Sequence, residues 1–160
     1  MTQKTKDEIA NSIRDFRLPR YEEIPDVGLY LEQTAKYING FLEPLPESAL
    51  TASMISNYVK KGMVKNPVKK QYDREHIASL LVIAVSKTVL SLEETVQLLH
   101  TCPEGQEGYD LFCTAFSRVM ETVFSHGAIP NMGQTLLEDT LTAVACKLYL
   151  EKQFREMTSC

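Results

Sequence analysis

The chain has 160 residues, of which 44% are hydrophobic and 24% charged, and this composition excludes an intrinsically disordered protein. Its formal net charge of −4 excludes a protein that is basic over its whole surface, and its length suits one domain or a small head with a helical accessory part. No run of about 18 apolar residues occurs and the first residues lack an apolar signal segment, so we expect a cytoplasmic protein without a membrane span.

Apolar residues recur at helical spacing through most of the chain, which predicts an all-α protein. Prolines separate the first two helices, and Pro44 ends the second one, because the residue before a proline avoids the helical conformation. An extended, hairpin-like segment that contains Pro67 is expected over residues 63–72. The predicted helices cover residues 5–16, 27–42, 52–61, 74–90, 92–100, 109–125 and 134–157.

Residues that cap helices mark the boundaries of the central elements. Thr51 and Asp73 each stand where an N-cap is expected. Gly62 follows the predicted third helix, where glycine readily takes the left-handed backbone conformation that ends a helix. Ser91 and Glu94 have the spacing of a capping box, in which each side chain accepts a hydrogen bond from the other residue's backbone N–H.

Basic residues are concentrated in the middle of the sequence. Residues 1–50 carry six basic and nine acidic side chains, and residues 91–160 carry four and ten. Residues 51–90 instead carry seven basic and two acidic side chains. A basic segment in an acidic chain is typical of a protein that contacts phosphate with one module, although a solvated lysine-rich loop has the same composition. Residues 51–72 contain no acid and five lysines: Lys60, Lys61, Lys65, Lys69 and Lys70.

The predicted helix 52–61 has an apolar and a polar face. Ile55, Tyr58 and Val59 lie at helical spacing on the apolar face. The polar residues are Ser53, Ser56, Asn57, Lys60 and Lys61. Such a helix fits the major groove of DNA, where asparagine pairs with adenine, and serine or lysine reaches phosphates or guanine. Lysines in the following segment would contact the DNA backbone.

Three landmarks in this region resemble the MerR family of winged helix-turn-helix regulators. They are residues 56–65 (SNYVKKGMVK), residues 71–77 (QYDREHI) and residues 91–99 (SLEETVQLL). The first matches the end of the family's recognition helix. The second matches the end of the family's wing and the start of the helix that follows it, and the third matches a helix that begins with Ser-Leu-Glu-Glu. The chain resembles an atypical, uncharacterised bacterial branch with this head, because its wing is short and lacks an Asn-Gly turn. Ser56 and Asn57 also occupy positions where the family often has Arg-Tyr.

The resemblance implies a winged helix-turn-helix head over residues 1–101 and a C-terminal part over residues 102–160 that dimerises or holds a small-molecule effector. It implies a transcription regulator that binds double-stranded DNA as a homodimer, through the helix 52–61 and a short lysine-rich wing, 63–72. The residues expected to contact DNA are Ser53, Ser56, Asn57, Lys60, Lys61, Lys65, Lys69, Lys70 and Tyr72. The alternative for single residues is that Tyr72 packs in the core or against the wing, and that Ser53, Ser56 and Asn57 form an ordinary solvated face.

The alternative function is that of a protein–protein interaction adaptor, because MerR-like heads also bind protein partners and the wing here is short. The sequence contains no motif for a nucleophile–base pair or a phosphate-binding loop, so we expect no enzyme, cofactor or metal site. His76 is expected to be an exposed surface residue. Reduced thiols are expected for all four cysteines, with a thiol or metal sensor as the less favoured alternative. These are Cys102, Cys113, Cys146 and Cys160.

Overall fold

A computed structural model describes residues 1–159, and they form an all-α protein, as the periodicity predicts. Short 3-10 helices at Tyr21–Glu23 and Pro46–Ser48 lie in the connections. Among these residues, every helix is too short or too polar to cross a bilayer. The seven α-helices of the described residues are α1 (Gln3–Asn11), α2 (Leu31–Phe41), α3 (Ala52–Lys60), α4 (Arg74–Ser86), α5 (Leu92–Thr101), α6 (Gly105–His126) and α7 (Leu136–Thr158).

The predicted N-caps of the central helices are confirmed. The Thr51 hydroxyl accepts a hydrogen bond from the Met54 backbone N–H over 3.1 Å at the start of α3. Ser91 and Glu94 form the reciprocal capping box of α5, with distances of 3.1 Å and 2.8 Å. Each bond satisfies a backbone donor that the first turn of a helix leaves free, so the boundaries follow from local chemistry.

Several helix boundaries differ from the prediction, and a non-local contact sets one of them. Helix α2 begins at Leu31 and not at residue 27, because Leu29 pairs with Tyr72 in an antiparallel bridge of two backbone hydrogen bonds, 2.9 Å and 2.7 Å long. Helix α1 ends at Asn11, and turns follow it over residues 12–15. Helix α6 begins at Gly105, four residues earlier than predicted.

Helix α4 lies at the centre of the hydrophobic core. Its residues from His76 to Ser86 are buried with the single exception of Ser79, and it packs against α2, α6 and α7. Helices α6 and α7 pack against each other, and α1 packs against both. The core therefore runs from Ile9 to Leu148 through both parts of the chain.

Candidate nucleic-acid interface

Helix α3 separates its apolar and polar residues as the sequence predicts. Ile55 and Tyr58 are buried in the core, and α3 packs against α2. The Tyr58 phenol has a raised pKa because it is buried. All the polar residues singled out on this helix are exposed: Ser53, Ser56, Asn57, Lys60 and Lys61. The helix therefore presents hydrogen-bonding groups and two ammonium groups to solvent.

The end of α3 turns the chain sharply through Gly62. Gly62 has a φ of 75°, its N–H donates to the Val59 carbonyl over 3.0 Å, and the Met63 N–H donates to the Tyr58 carbonyl over 3.0 Å. These two bonds form a Schellman motif, in which a left-handed residue after the helix satisfies its last carbonyls. The predicted role of Gly62 is confirmed, and the motif directs the chain into the lysine-rich segment.

Residues 68–71 form a tight hairpin turn. Val68 and Gln71 exchange two backbone hydrogen bonds of 3.2 Å and 2.9 Å, so only two residues form the loop. Those residues are Lys69 and Lys70, both exposed, with φ values of 51° and 62°. Positive φ at both central residues is the geometry of a type I′ turn, which favours Asn-Gly. Lysine in this conformation costs about 1–2 kcal/mol per residue, so local preference does not explain its presence.

Tyr72 lies at the base of this hairpin and is buried. Its backbone pairs with Leu29, and its ring meets the His76 ring edge to face, with the centroids 5.5 Å apart. Of the nine residues expected to contact DNA, eight are exposed and Tyr72 is not. The structure therefore gives Tyr72 a packing position under the hairpin.

The prediction that His76 is exposed is wrong. Its side chain is only 5% exposed. The ring Nε2 lies within hydrogen-bond distance of the Asn66 carbonyl oxygen, at 3.2 Å, and Nδ1 lies 2.7 Å from a carboxylate oxygen of Asp73. His76 occupies the third position of α4, next to its N-cap, so it ties the start of this helix to the segment that leads into the hairpin. Sequence reasoning missed it because Asn66 approaches only in the folded chain.

The basic residues of this region differ in whether another group of the protein pairs with their charge. Lys65 forms an ion pair with Glu75 over 2.9 Å, which raises the pKa of the lysine. Arg74 turns inward, donates to the Ile24 carbonyl over 2.9 Å and lies over the Tyr21 ring. The acid-free segment 51–72 has four other lysines, and none of them forms an ion pair within residues 1–159. They are Lys60, Lys61, Lys69 and Lys70. We call these four the free lysines.

A cavity of about 270 Å³ opens beside the end of α3. Met63 from the segment after α3, Val82 from α4, Leu99 from α5 and Phe112 from α6 contribute apolar walls. The Lys65–Glu75 ion pair also lines it. The cavity thus touches the connection between α3 and the hairpin.

The cysteines form no cluster in the part of the chain that the structure describes. Cys113 is buried, and its thiol donates to the Pro19 carbonyl over 3.7 Å, beside the Tyr109 hydroxyl, which donates to the same carbonyl over 2.7 Å. Burial raises the pKa of Cys113 to about 11, which makes it a poor nucleophile or metal ligand. Residues 1–159 contain no group of three potential metal ligands, and Cys160 lies outside the described residues.

The architecture around this site is an all-α protein in which an amphipathic helix with an exposed polar side leads into a tight, lysine-tipped hairpin. Residues 19–119 of the 160 match a domain of unknown function, DUF1836, and the chain belongs to this family. The matched range includes α2 to α5, the hairpin and the first part of α6. Comparison with curated proteins and with solved structures gave no match.

Proposed function

We propose that this protein is a transcription regulator whose winged helix-turn-helix head binds double-stranded DNA. Helix α3 would enter the major groove, with Ser53, Ser56 and Asn57 facing the bases and the nearest phosphates. The hairpin would serve as the wing and lie along the backbone. This proposal keeps the exposed residues predicted from the sequence and gives Tyr72 the role of supporting the wing.

The placement of the free lysines is the observation that carries the proposal. They lie on α3 and at the tip of the hairpin that follows it, and two of them occupy positive-φ positions that disfavour lysine. Unfavourable backbone conformations are retained at functional sites more often than elsewhere. Cations at the tip of a wing would add affinity through counterion release, which supplies a functional reason for lysine there.

Charge reversal on α3 tests this proposal. Lys60→Glu/Lys61→Glu should abolish binding to a pool of random duplexes, because it places two acids against the phosphates. Lys4→Glu/Lys6→Glu is the matched control, since it changes the net charge equally on exposed residues of α1 and should bind like the wild type. Binding should also weaken as salt is raised. Equal binding by both variants, or binding that salt leaves unchanged, would refute the DNA interface.

The protein–protein adaptor is the rival function, and the departure of Ser56 and Asn57 from the usual Arg-Tyr pair motivates it. Affinity capture from a lysate, with and without nuclease treatment, separates the two functions. Partners lost after nuclease treatment support DNA binding. Partners that persist after treatment, and that Lys60→Glu/Lys61→Glu does not release, would favour the adaptor and a surface elsewhere on the protein.

The small-molecule effector remains a prediction. The cavity beside the end of α3 is the space that we assign to it, because a molecule there would contact Met63 and Lys65, between α3 and the wing. Its volume approaches the lower end of ordinary ligand pockets. A compound bound there should change DNA affinity, which titration of DNA with and without the compound would measure.

A further inference from the structure

Helix α7 carries an exposed apolar stripe. Leu136, Leu150, Phe154 and Met157 are between 50% and 73% exposed, and Ala143 is exposed among them. Residues 136, 143, 150 and 157 follow each other at intervals of seven, the spacing that keeps side chains on one side of a helix facing a partner helix. We call these five residues the α7 stripe.

The stripe is separate from the side of α7 that faces the core. Leu141, Val144, Ala145 and Leu148 are buried, and α7 packs against α1, α4, α5 and α6. Within residues 1–159, the stripe therefore has no helix over it. Large apolar side chains repeated along one exposed face are typical of an interaction surface.

We propose that the α7 stripe is the two-fold interface of a homodimer, in which α7 packs antiparallel to α7 of a second copy with Ala143 near the axis. Leu136 and Leu150 lie seven residues before and after Ala143, or about 10.5 Å along the helix in each direction. Antiparallel packing therefore brings Leu136 of one copy to Leu150 of the other. Alanine at the centre lets the two helices approach closely.

Charges beside the stripe favour a second copy in this orientation. Asp139 precedes Ala143 by four residues and Lys147 follows it by four. Within one copy, Lys147 pairs with Glu151 over 3.5 Å and donates to the Thr88 carbonyl over 3.1 Å, so its charge lies beside the stripe but is shared with these groups. An antiparallel pair brings Asp139 near Lys147 of the other copy at both ends of the interface, whereas a parallel pair would place like charges together.

The segment before α7 carries further exposed apolar residues. The Gly133 N–H donates to the Asp139 carboxylate over 2.9 Å and 3.1 Å, which holds this segment beside the first turn of α7. Ile129 and Met132 in it are exposed apolar residues. They precede the first turn of α7, so this segment adds apolar surface at that end of the stripe.

Sedimentation velocity at tens of micromolar tests the interface, and we expect the wild type to be a dimer. Leu150→Glu should weaken dimerisation more than about tenfold, because it buries a carboxylate in an apolar interface. Phe154→Glu, a second variant on the stripe, should do the same. Leu111→Glu is the matched control, since Leu111 is similarly exposed on α6, and it should remain dimeric. Circular dichroism confirms that each variant is folded.

Cross-linking tests the orientation. In a Cys102→Ser/Cys146→Ser/Cys160→Ser background, a mixture of Leu136→Cys and Leu150→Cys chains should form a disulfide-linked heterodimer under mild oxidation, and Leu136→Cys alone should not link to itself. A monomeric wild type, a dimer unaffected by Leu150→Glu, or self-linking of Leu136→Cys would overturn the proposal. The interface would supply the homodimer expected for the proposed regulator, but these tests contain no DNA, so their failure leaves DNA binding untouched.

Discussion

Ser86 is a buried hydroxyl without a hydrogen-bond partner in the described residues. An unpaired buried polar group costs about 1–3 kcal/mol, because it loses its bonds to water. We expect Ser86→Ala to raise the free energy of unfolding by about 1 kcal/mol and Tm by about 2–4 °C. Ser117→Ala is the control for helix propensity, since Ser117 is exposed on α6. Thermal denaturation of both variants measures the difference, and a less stable Ser86→Ala protein would contradict the argument.

Asp73 makes stability depend on pH. Burial alone would raise its pKa, but the hydrogen bond that it accepts from the His76 backbone N–H and its contact with the His76 ring outweigh burial, and the net shift is downward. The unfolded chain therefore binds the proton more readily than the folded one. The stability from this carboxylate is present above the unfolded pKa, about 3.9, and is lost as pH falls through the folded value.

Asp73→Asn tests this contribution, because asparagine still caps a helix but does not titrate. Urea denaturation between about pH 5 and pH 2 should show a smaller loss of stability in this variant than in the wild type. Glu23, whose pKa is lowered to about 2 by its hydrogen bonds with Arg17 and the Arg20 backbone, titrates in both proteins, so some loss remains. Asp15→Asn, at an exposed position, should behave like the wild type. Parallel curves for Asp73→Asn and wild type would contradict the prediction.

The hairpin is the element in which stability and the proposed function oppose each other. Lys69→Asn/Lys70→Gly supplies the residues that a type I′ turn prefers, so we expect about 1–2 kcal/mol of added stability. The same change removes two free lysines, so DNA binding should weaken and its salt dependence should fall by about two phosphate contacts. Thermal denaturation and DNA titrations at several salt concentrations measure both effects.

Lys69→Ala/Lys70→Ala separates these two effects. Alanine removes the charges but does not relieve the positive φ, so this variant should lose DNA affinity without gaining stability. If both double variants bind DNA like the wild type, the tip lysines do not contact DNA. If Lys69→Asn/Lys70→Gly is no more stable than Lys69→Ala/Lys70→Ala, the turn is not strained.

Elements set by neighbours in sequence could be predicted, and those set by distant contacts could not. The Thr51 cap, the Ser91–Glu94 box and the Gly62 turn each depend on bonds within five residues, so their residue types reveal them. The bridge between Leu29 and Tyr72 joins residues far apart in the chain, and it shortens α2 where the periodicity continues a helix. On α3 the polar side followed from helical spacing, whereas the burial of His76 depends on the folded hairpin.

At the scale of the whole molecule, one hydrophobic core spans the two parts that the sequence suggests, residues 1–101 and 102–160. Helix α4 is buried on nearly all sides, although an exposed helix would show one polar face. It contacts α2 in the first part and both α6 and α7 in the second. The proposed DNA head therefore shares its central helix with the part that carries the proposed dimer interface.

This sharing predicts that the fragment 1–101 does not fold alone. Helix α4 has ten buried residues, and those that pack against α6 and α7 lose their cover in the fragment. Each fully buried aliphatic side chain contributes about 1.5–3 kcal/mol, so exposing three or four of them removes most of a typical stability of about 5–15 kcal/mol. We expect a broad, non-cooperative thermal transition for the fragment by circular dichroism, against a sharp one for the full chain. A cooperative transition of the fragment with intact DNA binding would show instead that the head is an independent domain, with α6 and α7 only an accessory to it.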